Sequence, residues 1–438
     1  MVINLQTFIR YALTLLALIA SVSAQAMAPI QHWQTSNGAR VYFAPAPELP
    51  MVDIQLVFNA GSARDGDRPG LAQLTHTLLD KGADGLSANQ IAEQLEGVGA
   101  RLGGDSLRDM ATLNLRSLSD AKYLQPAVAV FAKLVAQPDF NADDLNRERE
   151  RMLIGLQYAQ QQPEAVSEKA FYAALYGAHP YASPPEGTVE SLKSLDRAAV
   201  QDFHKRYYVA RNAVVAIVGA VDRATAEKLA ETATADLAAG EAAPTLPAVA
   251  DFTAAREQRI EHPSTQTHVL IGQPGIRRDD ADYFTLYVGN YVLGGGGLVS
   301  RLSEEIREKR GLSYSVYSYF MPMAERGPFQ LGLQTRNDQA AEALKVLRET
   351  LSRYVAEGPT AAELDAAKKN ITGGQALRVD SNRKILEYLA VIGFYQLPLD
   401  YLDTFNGKVE AVTLEQVRDA FKRRVQPERM LTLLVGGQ

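Results

Sequence analysis

Between Val52 and Asn59 the side chains alternate, with Ile54, Leu56 and Phe58 set against Asp53 and Gln55. That period of two predicts a half-buried strand with one apolar and one polar face. Met110–Leu118 alternates in the same way and predicts a second strand. Gly70–Lys81 carries its apolar residues at helical spacing, with Pro69 where a first turn tolerates it. Ser87 and Gln90 form a capping-box pair ahead of a helix through Val98. Asn141 precedes a long helical stretch to about Gln162, with Asp143 and Asp144 in the first turn, where the helix dipole favours negative charge. Strand pairs flanked by helix pairs predict an α+β fold: α/β sandwich domains in which a largely antiparallel sheet packs helices on one face.

The pattern occurs twice. Leu195–Arg206 is a helical stretch followed by an apolar run ending at Gly219, and Val412–Arg424 is another, followed by a run ending at Gly436. Phe421 lies 218 positions after Phe203, and Gly436 lies 217 after Gly219. A constant offset at the end of each half predicts a duplication. Between the halves, Leu237–Ala250 loses its periodicity and gains Gly, Ala and Pro. The expected organisation is a leader at 1–26, a first domain at 27–238, a linker at 239–250 and a second domain at 251–438. The leader reading rests on Arg10, the apolar run Tyr11–Val22 and the small residues Ala24-Gln25-Ala26, which together have the form of a cleaved secretory signal. It implies export, to a periplasm, with no membrane contact after cleavage.

Composition narrows the function classes. The 438 residues are 46% hydrophobic and 22% charged, as in soluble globular chains. A net charge of -6 gives no concentrated positive field for nucleic acid. The absence of cysteine removes disulfides, lipid attachment through a thioether, thiolate nucleophiles and cysteine zinc sites. No G-x-S-x-G or dinucleotide fingerprint is present. The glycines Gly294, Gly295, Gly296 and Gly297 are not a P-loop, because no Lys-Ser/Thr follows them and a helical pattern precedes them.

The stretch Gly70-Leu-Ala-Gln73-Leu-Thr-His76-Thr77, running on to Lys81-Gly82, resembles the signature helix of the pitrilysin and mitochondrial processing peptidase family. In that family the helix carries H-x-x-E-H. Two histidines on one helix face bind zinc, and the glutamate activates the metal-bound water. Here the resemblance aligns Gln73 with the first ligand, His76 with the catalytic glutamate and Thr77 with the second ligand. It aligns the third ligand, on the later Arg147–Gln157 stretch, with Gln157. A neutral amide or hydroxyl is a weak zinc ligand, so no zinc is expected on this chain. His76 reads as a structural histidine, and Glu148 and Glu150 as part of a solvated, charge-alternating helix face.

The second half keeps what the first lacks. Leu293–Leu302, with its four glycines, leads into Glu304–Arg310 and then Gly311-Leu-Ser-Tyr314, which resembles the family's C-terminal signature. The resemblance gives Arg307 and Tyr314 the role of binding the substrate carbonyl and steadying the oxyanion, with Tyr314 on the strand after the helix that Gly311 ends. Arg301, Arg310 and Tyr317 are neighbours with a weaker claim. The glycine run would line the substrate chamber as a mobile loop. The resemblance also implies a clam-shell heterodimer. Its partner would be a homologous subunit with intact H-x-x-E-H and its own zinc, and its substrate a peptide or unfolded polypeptide. The alternative is a peptide-binding or scaffold protein with no part in catalysis.

Overall fold

The computed structural model describes residues 29–437, and the expected leader lies outside the described residues. The alternating runs form strands as expected, and eleven strands build two large sheets. The first contains β1 (Gln31–Gln34), β2 (Arg40–Pro45), β3 (Met51–Phe58), β4 (Arg101–Ser106), β5 (Ala111–Leu118) and β6 (Ala213–Gly219), in the order β1-β2-β6-β3-β5-β4. The second contains β7 (Arg256–Ile260), β8 (Gln266–Pro274), β9 (Val316–Phe320), β10 (Pro328–Arg336) and β11 (Leu431–Val435), in the order β7-β11-β8-β10-β9. Apart from β1 the orders are equivalent strand for strand. Each sheet has one parallel pair, β2 with β6 and β7 with β11, and is otherwise antiparallel. The strand closing each half follows a helix, Arg197–Tyr207 before β6 and Leu414–Arg424 before β11. The duplication is therefore one of topology as well as of sequence.

Helices of each half pack on one face of its own sheet, as expected, and the other face takes a helix from the opposite half. On the first sheet, Phe43, Ile54, Leu56 and Ile217 pack against helices of their own half. The opposite face, with Tyr42, Val57, Val214 and Ala216, is covered by the helix Asn382–Phe394, which comes from the second half of the chain. The exchange is mutual. The helix Pro163–Tyr176 crosses β8 and β11, packing Phe171 and Leu175 against Leu270 and Leu433. Both crossings are close. A Cβ on Gly393 would stand 2.5 Å from Val214 Cγ1, and one on Gly272 2.5 Å from Phe171 Cζ. This cover also corrects the reading of Val52–Asn59 as half-buried. Asp53 and Gln55 are buried, and Asp53 accepts a 2.6 Å hydrogen bond from Arg116 Nε.

A polar knot ties the halves. Buried Asp109 accepts from Tyr181 Oη at 2.6 Å, from Tyr395 Oη at 2.9 Å and from the Ala324 N–H at 2.8 Å. Tyr181 Oη in turn accepts from the Glu325 N–H at 2.9 Å. Burial pushes the Asp109 carboxyl and both phenols upward. Residues 239–250 run between the halves without helix or strand.

Candidate functional site

The signature segment folds as the helix Leu71–Thr77, shorter than its sequence pattern. Gly70 sets its start with φ +91°, and Asp65 holds it, accepting from the Gly70 N–H at 2.9 Å and the Ala72 N–H at 2.8 Å. Burial raises the Asp65 carboxyl to about 7 against the pull of these donors. One turn along, Gln73 and Thr77 satisfy each other: the Gln73 amide donates to Thr77 Oγ1 at 3.3 Å, and that hydroxyl donates to the Gln73 carbonyl at 2.9 Å. His76 turns onto Gly104 of the edge strand β4, where an added Cβ would lie 3.0 Å from its Cε1. Its Nδ1 is buried without a hydrogen-bond partner, and burial pushes its pKa down, so the ring is neutral. These three side chains and Gly103–Ser106 of β4 line a cavity of about 390 Å³.

That donor set does not fit zinc. Zinc is held by thiolate, imidazole or carboxylate in groups of three or four. Here an amide and a hydroxyl already bonded to each other flank a single imidazole. Among the described residues no group of three His, Asp or Glu could hold a metal. Gln157 is exposed on the helix Ala142–Ala159 and is absent from the cavity wall. On the same helix Glu150 is exposed as expected, but Glu148 is not: it is only 2% exposed and paired with Arg151 at 2.8 Å. Residues 145, 148 and 156 share the inward face, and the alternation of charge concealed that the periodicity turns Glu148 inward.

The second-half segment occupies the corresponding place beside the second sheet, leading into edge strand β9 as the first leads toward β4. Within the glycine run Gly294 is closely packed, whereas Gly297 faces open space. Gly294 lies against β9, where a Cβ would meet Ser318 Oγ at 2.4 Å, and the Gly296 N–H bonds the Tyr291 carbonyl at 2.8 Å. Leu298 and Val299, just beyond, are 64% and 76% exposed. Ser303–Glu308 is a wide helical turn in which the Lys309 N–H reaches the Glu304 carbonyl five residues back. Such π-type turns are rare and frequent at functional sites.

The cations here divide sharply. Arg301 is locked in a two-pronged pair with Glu363 at 2.6 and 2.7 Å. Burial would raise Glu363, but Arg301 and the Thr360 cap overcome it and hold the carboxyl at about 2. Arg310 and Lys309 are tied to Glu305. Tyr317 packs on Gly332. Among the described residues the one ion pair of Arg307 is with its neighbour Glu308, at 3.5 Å, and its side chain is partly open to solvent. Tyr314 is 88% exposed and has no hydrogen bond among the described residues. It also lies two residues before β9, in the extended loop after Gly311, and not on the strand as the sequence suggested. A residue on β9 would spend its backbone on pairing with β10, whereas the loop leaves the phenol projecting. Sequence reasoning missed β4 as the wall of the degenerate site. The pair Gly103-Gly104, beside a strand pattern, was the available signal.

Known proteins resemble this chain along most of its length. A family model described as Insulinase (Peptidase family M16) matches residues 40–189, and one described as Peptidase M16 inactive domain matches residues 194–371. A crystal structure of a peptidase M16 inactive domain from Pseudomonas fluorescens is 40% identical. It superposes with a TM-score of 0.90, covering 93% of this chain and 98% of that one. An uncharacterized zinc protease of Mycobacterium leprae is 29% identical over 87% of this chain and 86% of its own length. A protein of Helicobacter pylori described as a non-peptidase homolog is 26% identical over 86% of this chain and 87% of its own.

Proposed function

The chain belongs to peptidase family M16, as a member without the catalytic zinc residues, and from that premise we propose that it is the non-catalytic subunit of a heterodimeric zinc metalloendopeptidase. The observation that carries the reading is the contrast within one molecule. Two of the zinc positions, Gln73 and Thr77, are filled by groups that bond each other, while Tyr314 projects with no hydrogen bond among the described residues and Arg307 has only a 3.5 Å pair with the adjacent Glu308. A fold that needed these two donors only for itself would have paired them, as it paired Arg301 and Arg310.

On this proposal the partner chain carries the intact H-x-x-E-H and supplies the zinc-bound water. This chain binds the peptide carbonyl through the Arg307 guanidinium and the Tyr314 phenol. Both are hydrogen-bond donors aimed at an oxygen that becomes negative during attack, which is where fixed donors lower a barrier most. Tyr314, on a loop, can reach across an interface. Exposed Leu298 and Val299 nearby give that interface an apolar anchor. The proposed setting is the periplasm, on the strength of segment 1–26. A scaffold role would leave two oxyanion donors without use.

Metal analysis and a peptidase assay test the proposal. The isolated chain is expected to carry substoichiometric zinc and to leave unfolded peptides intact. Mixed with an M16 partner bearing H-x-x-E-H, it should raise chelator-sensitive cleavage above that of the partner alone. Stoichiometric zinc with turnover in the lone chain would overturn the reading.

A further inference from the structure

A second cavity, of about 310 Å³, lies where the two halves and the linker meet, away from the edge strands β4 and β9. Arg40 and Arg64 come to it from the start of the first half, Arg211 from just ahead of β6, and Arg277 and Arg278 from just after β8. Two acids, Asp279 and Glu325, share the wall, and both are paired with Arg277, at 3.0 and 3.5 Å. Among the described residues the other four guanidinium groups form no ion pair with any carboxylate. Arg40 donates to the Gly393 carbonyl at 2.9 Å, and Arg64 Nε donates to Asn59 at 2.9 Å. Arg278 faces Tyr283 and Tyr401 and donates from Nη2 to Tyr401 Oη at 3.4 Å, with its Nε buried and without a partner. Buried Asp109, which Arg64 feels as a charge, already has three donors.

Arginines from both halves gathered round one space favour a negatively charged guest there. They gather here in a chain whose net charge is -6, so the local sign runs against the whole. Arginine is also the side chain best shaped for planar, two-pronged contact with phosphate or carboxylate oxygens. We infer that this cavity is a binding site for a compact, multiply charged oxyanion of the phosphate or polycarboxylate class. Such a ligand would sit between Arg40, Arg64 and Arg211 of one half and Arg278 of the other, against linker residues 242–246. It would tie the halves together at the same junction as the Asp109 knot. Burial pushes the Arg64 pKa down from its ordinary value, against the pull of Tyr207, Asp109 and Tyr181.

The test uses the full mature chain, free of phosphate and citrate buffers, titrated separately with inorganic phosphate, pyrophosphate and citrate. Sodium chloride at matched ionic strength is the control. A ligand held by both halves stabilises the folded state by mass action. At least one of the three anions should therefore raise the melting midpoint saturably, where chloride does not. Pyrophosphate or phosphate alone points to the phosphate class, and citrate alone to polycarboxylates. R64Q with R278Q should abolish the shift. The exposed change R211Q, which leaves the core untouched, should weaken binding by calorimetry at least about tenfold, the scale of one charge-assisted hydrogen bond. No saturable shift with any of the three anions, or a shift unchanged in R211Q, would overturn the inference.

Discussion

Asp109 shows how much rests on single side chains here. Its oxygens take three hydrogen bonds, two of them from the second half, and it has no ion-pair partner among the described residues. Replacing it with alanine strands Tyr181, Tyr395 and the Ala324 N–H in a buried site, which should cost about 3 kcal/mol in urea unfolding. Tyr395→Phe removes one bond only and should cost about 1 kcal/mol. None of this was legible in the sequence, because the three partners lie 72, 215 and 286 positions from Asp109. The loss of zinc chemistry, by contrast, was legible. Gly70, Lys81 and Gly82 hold the frame of the signature, so the foreign residues at 73, 76 and 77 stand out against it. Glu148 was misread because alternating charge is the usual mark of solvent, while its burial depends on which way the whole helix is turned.

At the scale of elements, the strands and the repeated helix–strand ends could be read from period and spacing, since each is a local pattern. The crossing of Asn382–Phe394 onto the first sheet could not, since the covering helix arrives more than 300 residues after the strands β2 and β3 that it buries. Gly393 is where that crossing is tightest. Gly393→Ala would force a methyl group against Val214 and the Tyr42 ring, and overpacking of this kind should cost about 1–3 kcal/mol by thermal or urea unfolding. A second prediction concerns the helix Arg197–Tyr207. His204 Nε2 bonds the Val135 carbonyl at 2.7 Å from the end of the helix Ala121–Ala136, and burial lowers its pKa to about 4. The unfolded chain therefore takes up a proton at His204 before the folded chain does. The stability from keeping this ring neutral is full above about pH 6.5 and is lost as pH falls toward 4, a span worth about 3 kcal/mol. His204→Gln should flatten the dependence of unfolding free energy on pH in that window. An unchanged slope would show that other groups set it.

Over the whole molecule, two copies of one topology have diverged in opposite directions. Beside β4 the first copy has become a pocket in which Gln73 and Thr77 bond each other beside a buried histidine. Ahead of β9 the second holds Arg307, paired among the described residues only with its neighbour Glu308, and an exposed Tyr314. The exchanged helices and the Asp109 knot bind the copies together, and Arg307 and Tyr314 are carried beside the second sheet, Tyr314 on the loop before β9. The proposed loan of those donors is tested most directly by the turnover of a reconstituted complex in which this chain carries Arg307→Ala and Tyr314→Phe. With its H-x-x-E-H partner, the double variant should lose at least about 100-fold in kcat, the scale of one oxyanion donor. Its melting midpoint and its affinity for the partner should stay unchanged. Turnover equal to that of the unaltered complex would contradict the account.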